Sequence, residues 1–420
     1  MKITFICDYF FPHSPGGAEQ SAFILAKELV QRGIDISIIT PNYGSKQYEK
    51  KQKIKIYRFP FIKLKKGKTK ISPIFHTNFF WILYSAFQIY KISKTIKPNL
   101  IHIHGKFSLP GALIASRLLK IKTTVTIRDY RVLCPIGYCL FNKNQVNGFF
   151  KFLTKEIPFG IKHYLETKNT VSMLIYSLVN IRGFFAMKVF KITANLIDKK
   201  IFVSQKVKQI YNQNGINGGE VIYNLSSPPS SSPPLRLGSE PKRENQILYV
   251  GKLSYGKGID LFLKTIKQLE TKIPQYRFLI IGNSRLKKYQ WIAKRLKLKN
   301  VRFLGQVPHH EIDKYYQKAK LVVIPSRWQE PLSRVTLEAL SFGVPVVTTK
   351  KGGQDEIVES NKNGYLTEAK VKSLKSAILK GIDKNKTLRA NIKKHRGKFK
   401  EKFYNQVINQ HLKLYKNLIK

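Results

Sequence analysis

Two doubly wound α/β domains joined by a Pro/Ser-rich linker are what this 420-residue sequence predicts, on three observations. Short, continuous apolar runs alternate with amphipathic stretches from the first residues onward, the pattern of parallel strands buried on both faces by crossover helices. The alternation breaks at Asn224-Leu-Ser-Ser-Pro-Pro-Ser-Ser-Ser-Pro-Pro, a loop signature, and then restarts. The length, at roughly 150 residues per domain, suits two or three domains with sizeable cores.

In chain order, Lys2–Cys7 predicts a strand, Gly17–Arg32 a helix, Asp35–Thr40 a strand and Leu100–His104 another. Thr123–Ile127 and Lys200–Val203 continue the series. After the linker, Ile247–Val250, Arg277–Ile281, Val301–Phe303, Leu321–Ile324 and Val344–Thr348 are strand-like, with helical patterns between them. The predicted domains are 1–225, with an insertion over about 141–195; a linker at 226–245; a second domain at 246–398; and a basic helix at 399–420, with a return to the first domain one option for it. In such sheets ligands bind at the carboxyl ends of the strands, and the cleft between two domains is the natural site.

The insertion breaks the alternation by mixing aromatics with Lys, as in Phe149-Phe150-Lys151-Phe152-Leu153 and Phe184-Phe185-Ala-Met-Lys188. Two readings stand: a helical insertion packed on the first domain, or an interfacial membrane element. Ile71–Tyr90 holds no charged residue, but Ser72, Pro73, His76 and Asn78 interrupt it, so a packed helix is expected rather than a spanning one. No transmembrane segment is expected elsewhere. The polar turn after the first seven residues reads as the end of a strand, not a signal-peptide core.

Charge is the anomaly. With 76 Lys+Arg against 24 Asp+Glu, the formal charge is +52. Nucleic acid, an anionic membrane face and phosphorylated substrates all fit such a chain, and so does the compositional drift of an AT-rich coding sequence. Two clusters stand out: Lys63–Lys70, which runs into Phe75, Phe79, Phe80 and Trp81, and residues 370–420, with 16 Lys+Arg and 2 acidic residues. Three cysteines make no disulfide framework, which points to a reducing compartment. Cys134 and Cys139 lack the further partners that a tetrahedral zinc site requires, so no metal is expected there.

The most informative segment is Pro325-Ser-Arg-Trp-Gln-Glu330-Pro-Leu-Ser-Arg-Val-Thr-Leu-Glu338. A strand ends at Ile324, a loop carries Glu330, Pro331 opens a helix and Ser333 lies in its first turn. A helix N-terminus at a strand's carboxyl end suits an anion, and two carboxylates beside it suit sugar hydroxyls. Paired glutamates on a helix, taken alone, form a solvated face.

This segment resembles the E-x7-E region of retaining GT-B glycosyltransferases of family 4 (group 1). Other stretches resemble the same family in the same order. They are Pro15-Gly16-Gly17-Ala18-Glu19, Ile101-His102-Ile103-His104-Gly105, Val250-Gly251-Lys252-Leu253 with Lys257-Gly258-Ile259-Asp260, Phe303-Leu304-Gly305, Gly352-Gly353-Gln354-Asp355-Glu356, and Asn363-Gly364-Tyr365-Leu366. The resemblance covers most of the chain apart from the insertion and roughly the last 50 residues. It implies the GT-B architecture, two Rossmann-like domains facing across a cleft. It implies a metal-independent retaining transfer of a sugar from a UDP- or GDP-sugar, which is a substrate and not a cofactor. The acceptor would be a saccharide or a lipid-linked molecule, in polysaccharide or glycolipid synthesis.

Roles follow from the resemblance residue by residue. Lys252 and Lys257 neutralise the departing diphosphate, Glu338 accepts from the ribose and Glu330 lies beside the sugar's hydroxyls. Gly16 and Gly17 admit the backbone to the donor, and Pro331, Leu332 and Ser333 line its pocket. Gly282 and Asn283 sit near the nucleotide. Where relatives carry a histidine near the reacting sugar, this chain has Arg128, followed by Asp129; His104 substitutes for that histidine, or Arg128 meets a phosphate or anionic acceptor. Lys252 stands where Arg is more frequent, and Leu332-Ser333 replaces Phe-Gly. No Asp-x-Asp occurs in the sequence. The expected setting is the cytoplasmic face of an anionic membrane, with no specific nucleic acid. The competing reading is a catalytically lost basic protein that binds nucleic acid or anionic surfaces.

Overall fold

The computed structural model describes residues 1–13, 16–64, 71–137, 148–165, 169–225 and 244–420. Pro15, Lys65–Lys70, Cys139, the start of the insertion and most of the linker lie outside the described residues. The chain folds into two compact units, one made of Met1–Leu225 with Gln406–Lys420 and the other of Ser226–Asn405.

Unit 1 is built on an eight-stranded sheet of β1 (Lys2–Ile6), β2 (Asp35–Pro41), β3 (Tyr48–Lys51), β4 (Ile54–Phe59), β5 (Leu100–Ile103), β6 (Lys122–Ile127), β7 (Lys199–Phe202) and β8 (Glu220–Val221). Its order is β3-β4-β2-β1-β5-β6-β7-β8, parallel throughout except where β3 pairs antiparallel with β4. Near-continuous apolar runs such as Ile3–Ile6 and Ile36–Ile39 are buried because crossover helices cover both faces.

Right-handed crossovers decide which helix lies where. α1 (Gly17–Gln31) connects β1 to β2 and covers one face. The connections from β4 to β5, β5 to β6 and β6 to β7 run the other way along the sheet, which puts their helices on the opposite face. These are α2 (Phe79–Ile96), α3 (Leu109–Leu118), and the insertion: α4 (Phe149–Lys151), a π-helical stretch at Phe152–Glu156, α5 (Ile157–Tyr164) and α6 (Thr170–Leu196). α7 (Gln205–Gln213) follows β7.

The packed helix expected over Ile71–Tyr90 begins at Phe79, after Asn78 caps it by accepting from the Trp81 N–H at 2.7 Å. The long apolar helix lies instead at α6, which by length and composition is able to cross a membrane. Cys134 is buried and disulfide-bonded, whereas Cys7 is buried and free.

Unit 2 is a six-stranded, all-parallel sheet of β9 (Gln246–Val250), β10 (Arg277–Ile281), β11 (Val301–Gly305), β12 (Leu321–Ile324), β13 (Val346–Thr349) and β14 (Gly364–Thr367). The order β11-β10-β9-β12-β13-β14 is 3-2-1-4-5-6 when renumbered within the unit, so the direction of winding reverses between β9 and β12. Its helices are α8 (Ile259–Leu269), α9 (Leu286–Arg295), α10 (His309–Lys318), α11 (Arg334–Ser341), α12 (Val371–Asp383), α13 (Asn385–Lys394) and α14 (Arg396–Lys400). Phe262, Phe278, Val323 and Leu374 are central to its core.

A second π-helical stretch, Glu401–Asn405, leads into α15 (Gln406–Ile419). That helix packs on α1, β5 and β6 and so belongs to unit 1.

Candidate active site

In unit 2 the winding reversal separates the carboxyl ends of β9 and β12, and the loops leaving these two strands carry the charged residues. The loop after β9 reaches α8 through Gly258, whose α-carbon is pressed against the Pro325 carbonyl. A β-carbon there would lie 1.8 Å from that oxygen. This contact holds the neighbouring Lys257 beside the loop after β12.

Glu330 is the hub of that loop. Lys257 Nζ donates to its two carboxylate oxygens at 2.8 and 2.7 Å, Ser326 Oγ at 3.1 Å and Trp328 Nε1 at 2.8 Å. The Lys257 ammonium also lies 5.0 Å from the centre of the Trp328 ring, an added cation–π contact. Glu330 is buried, so its charge is held by paired donors in place of water. An ammonium has three N–H donors, and two are spent on Glu330, which leaves one for an anionic oxygen.

The main chain locks the hub. Glu330 forms an isolated parallel bridge with Gly352, and its carbonyl accepts from the Gly353 N–H at 2.8 Å. Gly352 adopts φ +73°, and a β-carbon would fall 1.9 Å from the Glu330 carbonyl oxygen, so only glycine fits. Ser326 and Trp328 fall inside the Pro325–Glu338 segment but draw no role there, because the spacing of that motif singles out only the two glutamates.

The helix that carries Glu338 begins later than the sequence suggests. α11 starts at Arg334, and Ser333 is its N-cap, accepting from the Thr336 N–H at 3.3 Å. Pro331 and Leu332 precede the helix, because Ser333 offers the side-chain acceptor that an N-cap requires and Pro331 does not. Glu338 is buried, accepting from Arg334 Nη2 at 2.8 Å and from the Tyr316 hydroxyl at 3.0 Å. Burial, then the neighbouring Glu338 charge, pushes the Tyr316 phenol well above its ordinary range, so it stays a donor. Glu338 is therefore a fixed, buried acceptor and not a solvated one.

The other expected residues of this unit are spread around the same sheet end. Lys252 is exposed, and its carbonyl accepts from the Tyr249 hydroxyl at 2.9 Å. Gly282 is pressed against the Gly251 carbonyl, a packing role, and Asn283 donates to Gln306 Oε1. Lys257, Glu330, Ser326 and Trp328 thus form one contact cluster. Glu338 is tied to Arg334 and Tyr316.

Unit 1 has a cavity of its own at the carboxyl ends of β1, β5 and β6. Asp8, Glu19, His104, Lys106, Arg128 and Asp129 are among its lining. Asp8 joins two of these strand ends by accepting from the Phe107 N–H at 3.0 Å and from the Ser108 N–H and Oγ at 2.9 Å. Its position directly after the first strand was the one available sign of this role. Lys106 pairs with Asp129 at 2.5 Å. Burial raises the Asp129 carboxyl, but Lys106 and Arg131 outweigh it and hold the group below its ordinary range.

Arg128 Nη1 lies 2.7 Å from His104 Nδ1. A guanidinium can only donate, so Nδ1 is the acceptor and the His104 proton is assigned to Nε2. Burial, then His102 and Arg128, keeps His104 well below its ordinary range. His104 is accordingly neutral, with its basic nitrogen already occupied. Gly16 is the extended N-cap of α1 and Gly17 its first residue; a β-carbon on Gly16 would meet only the Glu19 carboxylate, at 3.7 Å.

Behind His104, His102 bridges the Thr126 hydroxyl and the Tyr415 hydroxyl of α15, each at 2.7 Å. His411 Nδ1 donates to the Val407 carbonyl at 2.7 Å. Burial lowers the His411 imidazole to about 4 and His102 well below its ordinary value. Unfolded histidines titrate near 6.5, so the unfolded chain takes up protons below that pH while these buried rings do not. Stability is thus complete above about pH 6.5 and falls as pH drops towards about 4, by about 2 kcal/mol from His411 alone at pH 5. Asp8, raised by burial, acts with the opposite sign. Urea unfolding at pH 7 and pH 5 checks this: the midpoint should fall on acidification, and His411→Gln should flatten the slope.

Comparison with known proteins agrees with this layout. Residues 15–225 match the family model described as Glycosyltransferase Family 4, and residues 237–398 match Glycosyl transferases group 1. A Klebsiella pneumoniae protein described as an uncharacterized 42.6 kDa protein in the cps region is 25% identical over 380 residues, covering 88% of this chain and 90% of that one. Sucrose-phosphate synthase from Thermosynechococcus elongatus superposes with a TM-score of 0.71 at 18% identity, over 99% of this chain and 98% of that one. The Anabaena HepE protein, solved in complex with UDP and glucose, gives 0.65 at 21% identity over 98% of each. Two parallel Rossmann-like sheets, with glutamates after β12 and on α11 at the family's spacing, make this chain a member of the family 4, group 1 glycosyltransferases, with the GT-B fold.

Proposed function

We propose that the protein transfers a sugar, with retention at the anomeric carbon, from a UDP- or GDP-sugar to a saccharide or lipid-linked acceptor. The observation that carries this reading is the Lys257–Glu330 pair at the winding reversal of unit 2. It sets a cation for the diphosphate beside a carboxylate for sugar hydroxyls. The uridine donor takes support from the UDP in the structure of the Anabaena protein.

As the anomeric C–O bond breaks, its electron pair stays with the diphosphate. The acceptor oxygen forms the new C–O bond on the same face, and its proton passes to the departing phosphate oxygen. Such a step needs no strong protein base, which fits a His104 whose Nδ1 is occupied and whose Nε2 is available to donate. Lys257, Lys252 and the N-terminus of α11 stabilise the charge that builds on the diphosphate, without a metal. Glu330 accepts from the sugar, between Pro331, Leu332 and Ser333, while Glu338 accepts from the ribose with Gly282 and Asn283 nearby. Gly16 and Gly17 leave room for the donor, and Arg128 and Asp129 meet the acceptor in the unit 1 cavity.

The test is calorimetry with UDP and GDP, followed by a hydrolysis screen of nucleotide-sugars. Glu338→Ala should weaken nucleoside diphosphate binding by about tenfold, the loss of one charge-assisted hydrogen bond. Lys257→Ala should lower turnover by about a hundredfold while binding changes less. Unchanged nucleotide affinity in Glu338→Ala would remove the ribose assignment, and the absence of binding to either nucleotide would remove the whole reading.

A further inference from the structure

The face of unit 1 that carries α2, α3 and α6 is strongly apolar where it meets solvent. On α6 the exposed side chains include Val171, Leu174, Leu178, Phe185, Val189 and Ile192, at spacings that place them along one stripe of the helix. Only 17% of its most apolar window is buried. α2 adds Phe80, which is 82% exposed, with Leu83 and Phe87 on the same stripe, and α3 adds Ile114 and Leu118. α3 packs against both α2 and α6, so the three stripes belong to one helical layer. Exposed apolar surface on this scale marks an interaction site.

Charge selects the partner. α2, α3 and α6 contain no Asp or Glu. Their exposed ionic side chains are cations: Lys91 and Lys94 extend the α2 stripe, Arg117 flanks that of α3, and Lys188 and Lys191 stand among the apolar residues of α6. Lys188 lies over the Phe185 ring at 5.5 Å, its stem along apolar surface. A second copy of this chain would bring the same cationic face against itself, with the whole chain at +52. An anionic lipid leaflet offers hydrocarbon for the stripes and phosphates for the lysines.

The layer cannot span the bilayer without leaving the domain. Gly183, Met187 and Phe190 are buried on the inner side of α6, and the Arg182 guanidinium donates to the Ile74 carbonyl at 2.8 Å and the Thr77 carbonyl at 3.2 Å. We propose that the α2–α3–α6 layer is a docking face that seats shallowly in an anionic leaflet of a membrane. This gives the lipid-linked acceptor reading a surface of approach, yet it stands independently of sugar transfer, since a chain can bind vesicles without turning over.

The experiment is flotation of the full chain with phosphatidylcholine vesicles, with and without phosphatidylglycerol. The chain should float with the anionic vesicles. Phe80→Ser/Leu178→Ser should reduce the bound fraction by about tenfold, and Lys188→Glu/Lys191→Glu should do so on anionic vesicles while leaving every apolar side chain in place. Both variants should keep the wild-type circular dichroism and nucleotide affinity, which separates a docking failure from a failure of the transferase reading. Equal flotation on neutral vesicles, unchanged flotation of the variants, or a wild-type dimer made monomeric by Phe80→Ser/Leu178→Ser would each overturn the proposal.

Discussion

Glu330→Ala should abolish sugar transfer, lowering kcat/KM by about a thousandfold or more, and should destabilise the protein at the same time. The two losses have one origin. Removing the carboxylate deletes the acceptor for the sugar and the group that fixes Lys257, so a single change disables both partners. It also strands three donors, Lys257 Nζ, Ser326 Oγ and Trp328 Nε1, in a poorly hydrated pocket. Breaking a buried ion pair costs roughly 3–5 kcal/mol. Lys257 keeps about a quarter of its side-chain exposure, so water recovers part of this and about 2 kcal/mol is the better figure. Glu330→Gln, which keeps the shape and one acceptor, should recover most of the stability and little of the activity. Steady-state kinetics beside urea unfolding would show this, and a Glu330→Ala enzyme with full turnover would sink the assignment.

Gly352→Ala should have the second-largest effect, although the residue carries no side chain. Alanine at φ +73°, ψ −143° sits in a backbone region essentially reserved to glycine, which costs roughly 1–3 kcal/mol by itself. Its β-carbon would also fall within bonding distance of the Glu330 carbonyl oxygen, a backbone atom that cannot rotate away. The two segments must separate, so the total is about 3 kcal/mol. Displacing Glu330 by about 1 Å should cut kcat by roughly a hundredfold. A wild-type unfolding midpoint in this variant would mean that the bridge to Glu330 is not tight in solution.

The apolar runs of both sheets could be read in advance because parallel strands buried on two faces leave no room for polar residues. Other elements were hidden for identifiable reasons. The β3–β4 hairpin turns through Gln52 and Lys53, both with positive φ, where Asn-Gly would have announced such a turn. β14 coincides with the Asn363-Gly364-Tyr365-Leu366 motif, whose glycine and short length hide the strand behind the signature. The start of α11 was misplaced because Pro331 is a common first helical residue, whereas the cap is Ser333.

At the site, the identities of Lys257 and Glu330 were readable from the family's motifs, but their contact was not. They are 73 residues apart and meet only because β12 lies beside β9. The same holds for His102 and Tyr415, which are separated by 313 residues. Arg128 stood out as a departure from the family pattern, and only its geometry shows that it fixes the His104 tautomer.

The placement of α15 has a consequence for synthesis. Val407, Ile408, His411, Leu414 and Tyr415 complete the covering of β5 and β6, yet they leave the ribosome after every residue of unit 2. At roughly 5–20 residues per second, the nascent N-terminal sheet waits about 10–40 s with His102 and its apolar neighbours uncovered. Unit 2 is contiguous in sequence and can close first. The later half of the chain is therefore positioned to mature before the earlier half. A fragment ending near residue 400 would lack a structural part of the domain it appears to contain in full.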